Sequence, residues 1–267
     1  MTTAPKPSHQ TALITGASGG LGLELAGLFA KGGHNLILVA RSGDKLRVLA
    51  TELSSRHGVL VETLSSDLSA IGAGQKLVDD LKARGLTVDV LVNNAGFADF
   101  GKFHENPLEK GLNMVDLNIR TLTELTGLLL PGMVARGRGR VMNIASTAAF
   151  QPGPLMAVYY ASKAYVLYFS EAIANELEGT GVTVTAFCPG AFESGFQARA
   201  EMEDSKLIKG KKLPSSSEMA QIGYVALMKG QAVSIGGRGN YFQAQSVRFL
   251  PRAMVTRLVR NISERGH

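Results

Sequence analysis

The chain is 267 residues long, 45% apolar and 19% charged, with a formal net charge of +6 and an isoelectric point near 9.5. That is enough apolar material for a sizeable core in one large domain or two small ones. The single cysteine, Cys188, excludes an intrachain disulfide; the scattered histidines offer no metal-ligand spacing, so no metal is expected; and the basic excess comes without a recognition motif for nucleic acid.

Residues 1–10 contain two prolines and lack the apolar run of a signal peptide, so they read as a loose tail on a soluble, cytoplasmic protein. No stretch is long and apolar enough to span a bilayer; the richest, Leu122–Val134, is interrupted by Glu124 and Pro131. From there, short β-branched and leucine-rich runs alternate with longer helical patterns. Strands are predicted at Thr11–Thr15, Asn35–Ala40, Val59–Leu64, Val88–Asn93, Arg140–Ala145 and Val182–Phe187. Several are apolar almost throughout, as strands covered on both faces are. Helices are predicted at Leu21–Lys31, Gly43–His57, Ala70–Arg84, Pro107–Arg136 and Leu155–Gly179, with the Pro107–Arg136 stretch split in two because Gly111 and Pro131 disturb one rod. The alternation predicts an α/β fold: a doubly wound parallel sheet of Rossmann type, with helices on both faces. A last strand is expected within Gly239–Gln245. The predicted organisation is a tail over 1–10, a catalytic domain over 11–247 and an amphipathic C-terminal helix over 248–267.

The first strand runs into Thr15-Gly16-Ala17-Ser18-Gly19-Gly20-Leu21-Gly22 and then a helix. Such a turn aims backbone N–H groups and the positive end of a helix dipole at a phosphate. The spacing differs from G-x-G-x-x-G, yet its place after the first strand predicts a nucleotide site. The second strand ends in Ala40-Arg41-Ser42, with no acid to hold a ribose 2′-hydroxyl. A guanidinium and a hydroxyl suit a 2′-phosphate, so NADP(H) is expected over NAD(H).

Tyr159 and Lys163 stand four residues apart, on one face of a predicted helix. An ammonium stabilises a phenolate and lowers the phenol's pKa from about 10. That would fit Tyr159 for proton exchange with a carbonyl or alcohol oxygen. Taken alone, the pair reads more readily as a packed tyrosine and a solvated lysine on an amphipathic helix.

Taken together, several motifs resemble the short-chain dehydrogenases/reductases in their compact, one-domain branch. They are the Thr15–Gly22 turn, Asp67-Leu68, Asn93-Asn94-Ala95-Gly96, Asn118, Ser146, the Tyr159-x-Ala-Ser-Lys163 pattern and Pro189-Gly190, in that order. The resemblance runs to about Gly230, and the last thirty-odd residues depart from the family's usual ending. It implies that Tyr159 transfers the proton, that Lys163 lowers its pKa and holds the nicotinamide ribose, and that Ser146 steadies the reacting oxygen. It also implies that Asn118 supports a water chain to Lys163. Gly16, Ser18, Gly19, Gly20, Leu21 and Gly22 would cradle the cofactor. Arg41, Ser42, Asp67, Leu68, Asn94, Ala95, Gly96, Pro189, Gly190 and Ser194 would line the rest of its site, with Leu68 beneath the adenine. Ser162 is read as helix packing.

The substrate wall is expected after the strand ends, at Phe97, Ala148, Gln151, Met156, Phe192 and Phe196. Its apolar character predicts a medium-sized ketone, aldehyde or secondary alcohol. Phe196–Leu213 reads as a lid or an ordinary surface loop. The alternatives are a catalytically silent NADP(H) sensor on the same fold, or an NAD-preferring alcohol or steroid-type dehydrogenase. Residues Arg248–Ser263 read as a helix docked on its own domain or on another subunit, ahead of an interfacial membrane helix. A homodimer or homotetramer is the usual family assembly.

Overall fold

The computed structural model describes residues 10–195, 210 and 212–264. Seven strands, β1 (Thr11–Thr15), β2 (Asn35–Ala40), β3 (Val61–Ser65), β4 (Val90–Asn93), β5 (Gly139–Ile144), β6 (Val182–Cys188) and β7 (Val233–Ile235), form one parallel sheet in the order β3-β2-β1-β4-β5-β6-β7. The order reverses between β1 and β4. Crossovers from β1 therefore run one way and those from β4 the other, which leaves a crevice at the carboxyl ends of these two strands.

Strand alternation feeds both faces. Ala12 and Ile14 of β1, with Leu36 and Leu38 of β2, join Leu25 and Phe29 of α1 (Gly20–Lys31), Leu46 and Leu53 of α2 (Gly43–His57) and Leu227 of α7 (Ser216–Met228). Leu13 of β1 and Ile37 and Val39 of β2 point the other way, onto Leu77 and Leu81 of α3 (Ala73–Ala83) and Leu125 and Met133 of α5 (Leu122–Ala135). This period of two is what makes the strands read as unbroken apolar runs, because neither face meets water.

Two expectations are corrected. The long helical stretch does not break at Gly111 or Pro131. It runs as α4 (Leu108–Val115), a π-helical turn at Asp116–Thr121, and α5, which contains Pro131. The final strand is Val233–Ile235, and the segment expected to hold it is helix α8 (Arg238–Ser246). Three residues are too few to show an alternation, and Gly239 with Asn240 hid the helix, both being poor helix formers. A 3-10 turn (Val247–Phe249) then leads to α9 (Arg252–Ser263).

Candidate active site

The glycine turn is built to be narrow. Gly16 has φ +67°, and a Cβ there would meet Asn94 Nδ2 at 2.8 Å and the Ala95 Cα at 3.0 Å. A Cβ on Gly22, in the first turn of α1, would collide with the Gly16 carbonyl and Asn94 Nδ2. Only glycine lets the helix start this close to the strand end. The turn is then pinned to β4. Thr15 Oγ1 accepts from the N–H groups of Asn94 and Ala95, both at 3.0 Å, and donates to the Val92 carbonyl at 3.2 Å. The Asn94 side-chain amide donates to the carbonyls of Thr15 at 2.9 Å and Gly16 at 3.3 Å. Asn94 therefore shapes the turn from behind. Gly19, the residue before α1, gives no side-chain cap, so the first N–H groups of the helix are left for an anion.

The other expected cofactor residues ring this turn at the carboxyl edge. Arg41 and Ser42 are exposed just past β2. Asp67, just past β3, accepts from the Ser69 hydroxyl at 2.7 Å and N–H at 3.0 Å. These bonds, with the Arg41 charge, hold its carboxyl below the usual range. Ser194 lies over the turn, 3.8 Å from where a Gly20 Cβ would sit. Leu68 follows Asp67 in the chain, its side chain buried with Leu64 and Leu77.

Ser146, Tyr159 and Lys163 come together beyond β5. Ser146 is extended, φ −173°, and caps the 3-10 turn Thr147–Phe150 by accepting from the Ala148 N–H at 3.1 Å. Tyr159 and Lys163 lie on helix α6 (Ala157–Glu176). The Lys163 ammonium sits 5.7 Å from the Tyr159 ring centroid and donates to the Ile144 carbonyl at 2.6 Å. Burial pushes the Tyr159 phenol up to about 12, against a hydrogen bond with Ser146 that draws it down. Burial also pulls Lys163 down to about 8. Desolvation is the largest influence on each of the two groups, raising the phenol and lowering the ammonium.

Asn118 is buried in the π-helical turn, a device that often marks functional positions. Its amide donates to the Phe97 carbonyl at 3.1 Å and to Ser162 Oγ at 3.1 Å, and its oxygen accepts from the Phe97 N–H at 3.2 Å. Ser162 in turn donates to the Tyr159 carbonyl at 2.7 Å. Ser162, read from sequence as packing, is thus the link from Asn118 to the helix that carries Tyr159. Its place one residue before Lys163 gave no signal of this. A Cβ on Gly96 would lie 3.0 Å from Asn118 Oδ1 and 3.8 Å from Lys163 Nζ, so Ala95-Gly96 leaves the path to the lysine open.

Of the expected substrate wall, Ala148 and Met156 cluster with Ala98 and Tyr160, and with the half-buried Phe100 and Tyr159. Gln151 ends the 3-10 turn, and Phe97 is held by its backbone to Asn118. Phe192 packs against the cluster beneath α1. Phe196 and most of the expected lid lie outside the described residues. A cavity of about 280 Å³ opens beside Tyr159, walled by Phe103, Leu108, Met114, Leu155 and Met156. Leu155 carries φ +70°, an uncommon conformation for a leucine, and its carbonyl accepts from the Gly101 N–H at 2.9 Å.

Residues 10–205 match the model of the short chain dehydrogenase family. A very-long-chain 3-oxoacyl-CoA reductase of Phaeosphaeria nodorum is 40% identical over 187 residues, covering 67% of this chain and 53% of the relative, so the chain spans about half the length of that fungal protein. One from Anas platyrhynchos is 33% identical over 254 residues, covering 93% of this chain and 78% of the relative. Among solved structures, a short-chain dehydrogenase from Sphingobium yanoikuyae in complex with NADPH superposes with a TM-score of 0.80 at 31% identity, covering 90% of this chain and 94% of that one. The chain belongs to the short-chain dehydrogenase/reductase family, and it is an oxidoreductase that takes a nicotinamide cofactor.

Proposed function

We propose that the protein is an NADP(H)-dependent carbonyl reductase acting in the cytoplasm on a mostly apolar ketone, with a 3-oxoacyl thioester as the first class to test. The observation that carries this reading is the grouping of three side chains beyond β5: the Tyr159 phenol hydrogen-bonded to Ser146, with the Lys163 ammonium 5.7 Å from the Tyr159 ring centroid. A phenol held up at about 12 is a donor at neutral pH. An alkoxide formed at a reduced carbonyl is a far stronger base, so the proton passes from Tyr159 to it. Ser146, fixed by the Ala148 N–H, presents its hydroxyl to the same oxygen and steadies the growing charge. Lys163, in its charged form, favours the phenolate left behind.

The residues fit the cofactor. The Gly16–Gly22 turn and the uncapped start of α1 would take the pyrophosphate. Arg41 and Ser42 would take the 2′-phosphate, and Asp67 the polar edge of the adenine. A nicotinamide held there would supply the hydride for the carbonyl carbon. The cavity beside Tyr159, apolar at Phe103, Leu108, Met114, Leu155 and Met156 and polar at Asp99, His104 and Asn106, supports a substrate with a hydrocarbon portion, and the names of the relatives point to an acyl chain. Homodimeric or homotetrameric assembly belongs to the same reading, as does peripheral contact with a membrane.

The experiment is a panel of ketones, aldehydes and 3-oxoacyl thioesters with NADPH and NADH, followed by nicotinamide absorbance. Reduction of apolar ketones with NADPH, lost in Tyr159→Phe while NADPH still binds, is the expected result. Full activity in Tyr159→Phe would overturn the proton role. Arg41→Ala is expected to weaken NADPH more than NADH; equal effects would remove the basis for the preference.

A further inference from the structure

The stretch from α7 to the end of α9 contains no acidic residue between Glu218 and Glu264, while it carries Arg238, Arg248, Arg252, Arg257 and Arg260. Only Arg260 is engaged, with Glu264 at 3.1 Å; the other four are exposed and make no ion pair among the described residues. The same surface shows large apolar side chains to solvent. Phe249 is 85% exposed and Phe242 71%, with Tyr241 and Met254 about half exposed.

Helix α9 explains why these groups are outside. Val255, Val259 and Ser263 form its docked stripe, at a spacing of four residues, and Val255 and Val259 pack against Ala98, Ala148, Met156 and Tyr160. Met254, Leu258 and Ile262 form a second stripe, one residue earlier at each step, so the apolar arc is wider than the core can cover. Arg257 borders the uncovered stripe. Phe249 and Leu250, just before α9 in the chain, are exposed too, and on α8 the exposed Tyr241 and Phe242 stack edge to face at 6.0 Å.

We propose that this α8–α9 face docks on an anionic lipid bilayer. Exposed aromatic and aliphatic side chains on a segment whose exposed arginines make no ion pair among the described residues match the interface of such a membrane, where the apolar groups enter the acyl boundary and the guanidinium groups stay among the phosphates. A second copy of this chain fits less well. A two-fold contact would set the face against itself and bring four unpaired arginines onto four more, with no acid to offset them. Among the described residues no helix is long and apolar enough to cross a membrane. The docked side of α9 rests on the cluster that contains Met156 and Tyr160, with the half-buried Tyr159 packed against it. The docking itself does not depend on which carbonyl is reduced.

The test is co-sedimentation of the full chain with vesicles of phosphatidylcholine containing phosphatidylglycerol, and with vesicles of phosphatidylcholine alone, at low and high salt. Binding to the anionic vesicles, at least about tenfold stronger than to the neutral ones and weakened by salt, is expected. Arg252→Glu with Arg257→Glu should lower that binding about tenfold or more. Phe242→Ser with Phe249→Ser should lower it comparably, and circular dichroism should show both pairs folded, since all four sites are exposed. Equal binding to both vesicle types, no binding to either, or binding untouched by both variant pairs would overturn the proposal. So would a loss of self-association in the Phe242/Phe249 pair, measured by light scattering without lipid, if vesicle binding stayed intact.

Discussion

The Lys163 ammonium reaches the Ile144 carbonyl at 2.6 Å while standing 5.7 Å from the Tyr159 ring centroid. The lysine is thus anchored to the end of β5 as firmly as it faces the phenol, in a site where burial pulls its pKa down to about 8. Between about pH 8 and the ordinary value of 10.5, the unfolded chain binds a proton that the folded chain has released. Stability therefore rises with pH across that window, and the cost of burying the charge is present in full below it. For a shift of this size the cost is about 3 kcal/mol.

Lys163→Met removes that cost but strands the Ile144 carbonyl, at about 1–3 kcal/mol. The two effects nearly offset at neutral pH, so the variant should unfold within about 2 kcal/mol of the parent there. It should then lose ground to the parent, by up to about 3 kcal/mol, as the pH climbs through the window. Urea unfolding at neutral and alkaline pH checks this. A difference that stayed constant with pH would mean that Lys163 titrates like an exposed lysine.

The same two groups set the pH dependence of reduction. The phenol, held at about 12, keeps its proton well past neutrality, whereas Lys163 loses its charge around 8. The kcat/KM for carbonyl reduction should be flat up to about pH 8 and then fall with the slope of one proton. Tyr159→Phe should lower it about 10²-fold or more throughout. A flat profile to above pH 10 would show that the lysine charge is not needed.

Much of this arrangement was legible in the chain because it rests on local patterns. The apolar runs within Asn35–Ala40 and Val88–Asn93 announced strands covered on both faces, and the strands found there, β2 and β4, lie inside the sheet. The four-residue step from Tyr159 to Lys163 put both on one helix, as found. What escaped notice depends on distant partners. Ser162 gains its place from Asn118, 44 residues earlier, and Asn94 from the carbonyls of Thr15 and Gly16, about eighty residues earlier. The surroundings of Tyr159 escape a sequence reading for a related reason: sequence shows a neighbouring cation but not the desolvation that acts on both groups.

Asn118 and Ser162 form a positioning pair, and their coupling can be measured. Asn118→Ala leaves the Phe97 N–H and carbonyl without partners and should cost about 2–4 kcal/mol. Ser162→Ala removes one acceptor and one donor and should cost about 1–2 kcal/mol. The double variant should cost about 1 kcal/mol less than the sum, because the bond between them is lost only once. Strict additivity in chemical unfolding would show that the two side chains act independently. Activity should fall more than stability in both single variants, since each displaces the helix or loop beside Tyr159.

Two glycines of one helix separate the demands of the turn from those of the helix. A Cβ on Gly22 would collide with the Gly16 carbonyl, whereas a Cβ on Gly27 meets nothing within 4 Å. Gly27→Ala should therefore stabilise the protein by about 0.5–1 kcal/mol, by favouring the helix and restricting the unfolded chain. Gly22→Ala gains the same propensity but must push α1 off the strand end, and overpacking of this kind costs about 1–3 kcal/mol. The displaced turn no longer presents its N–H groups to a pyrophosphate, so Gly22→Ala should also lose most NADPH affinity while Gly27→Ala keeps it. Thermal unfolding and NADPH fluorescence titration of the two variants decide the matter. Equal behaviour would mean that the narrowness of the Gly16–Gly22 turn has no part in holding the cofactor.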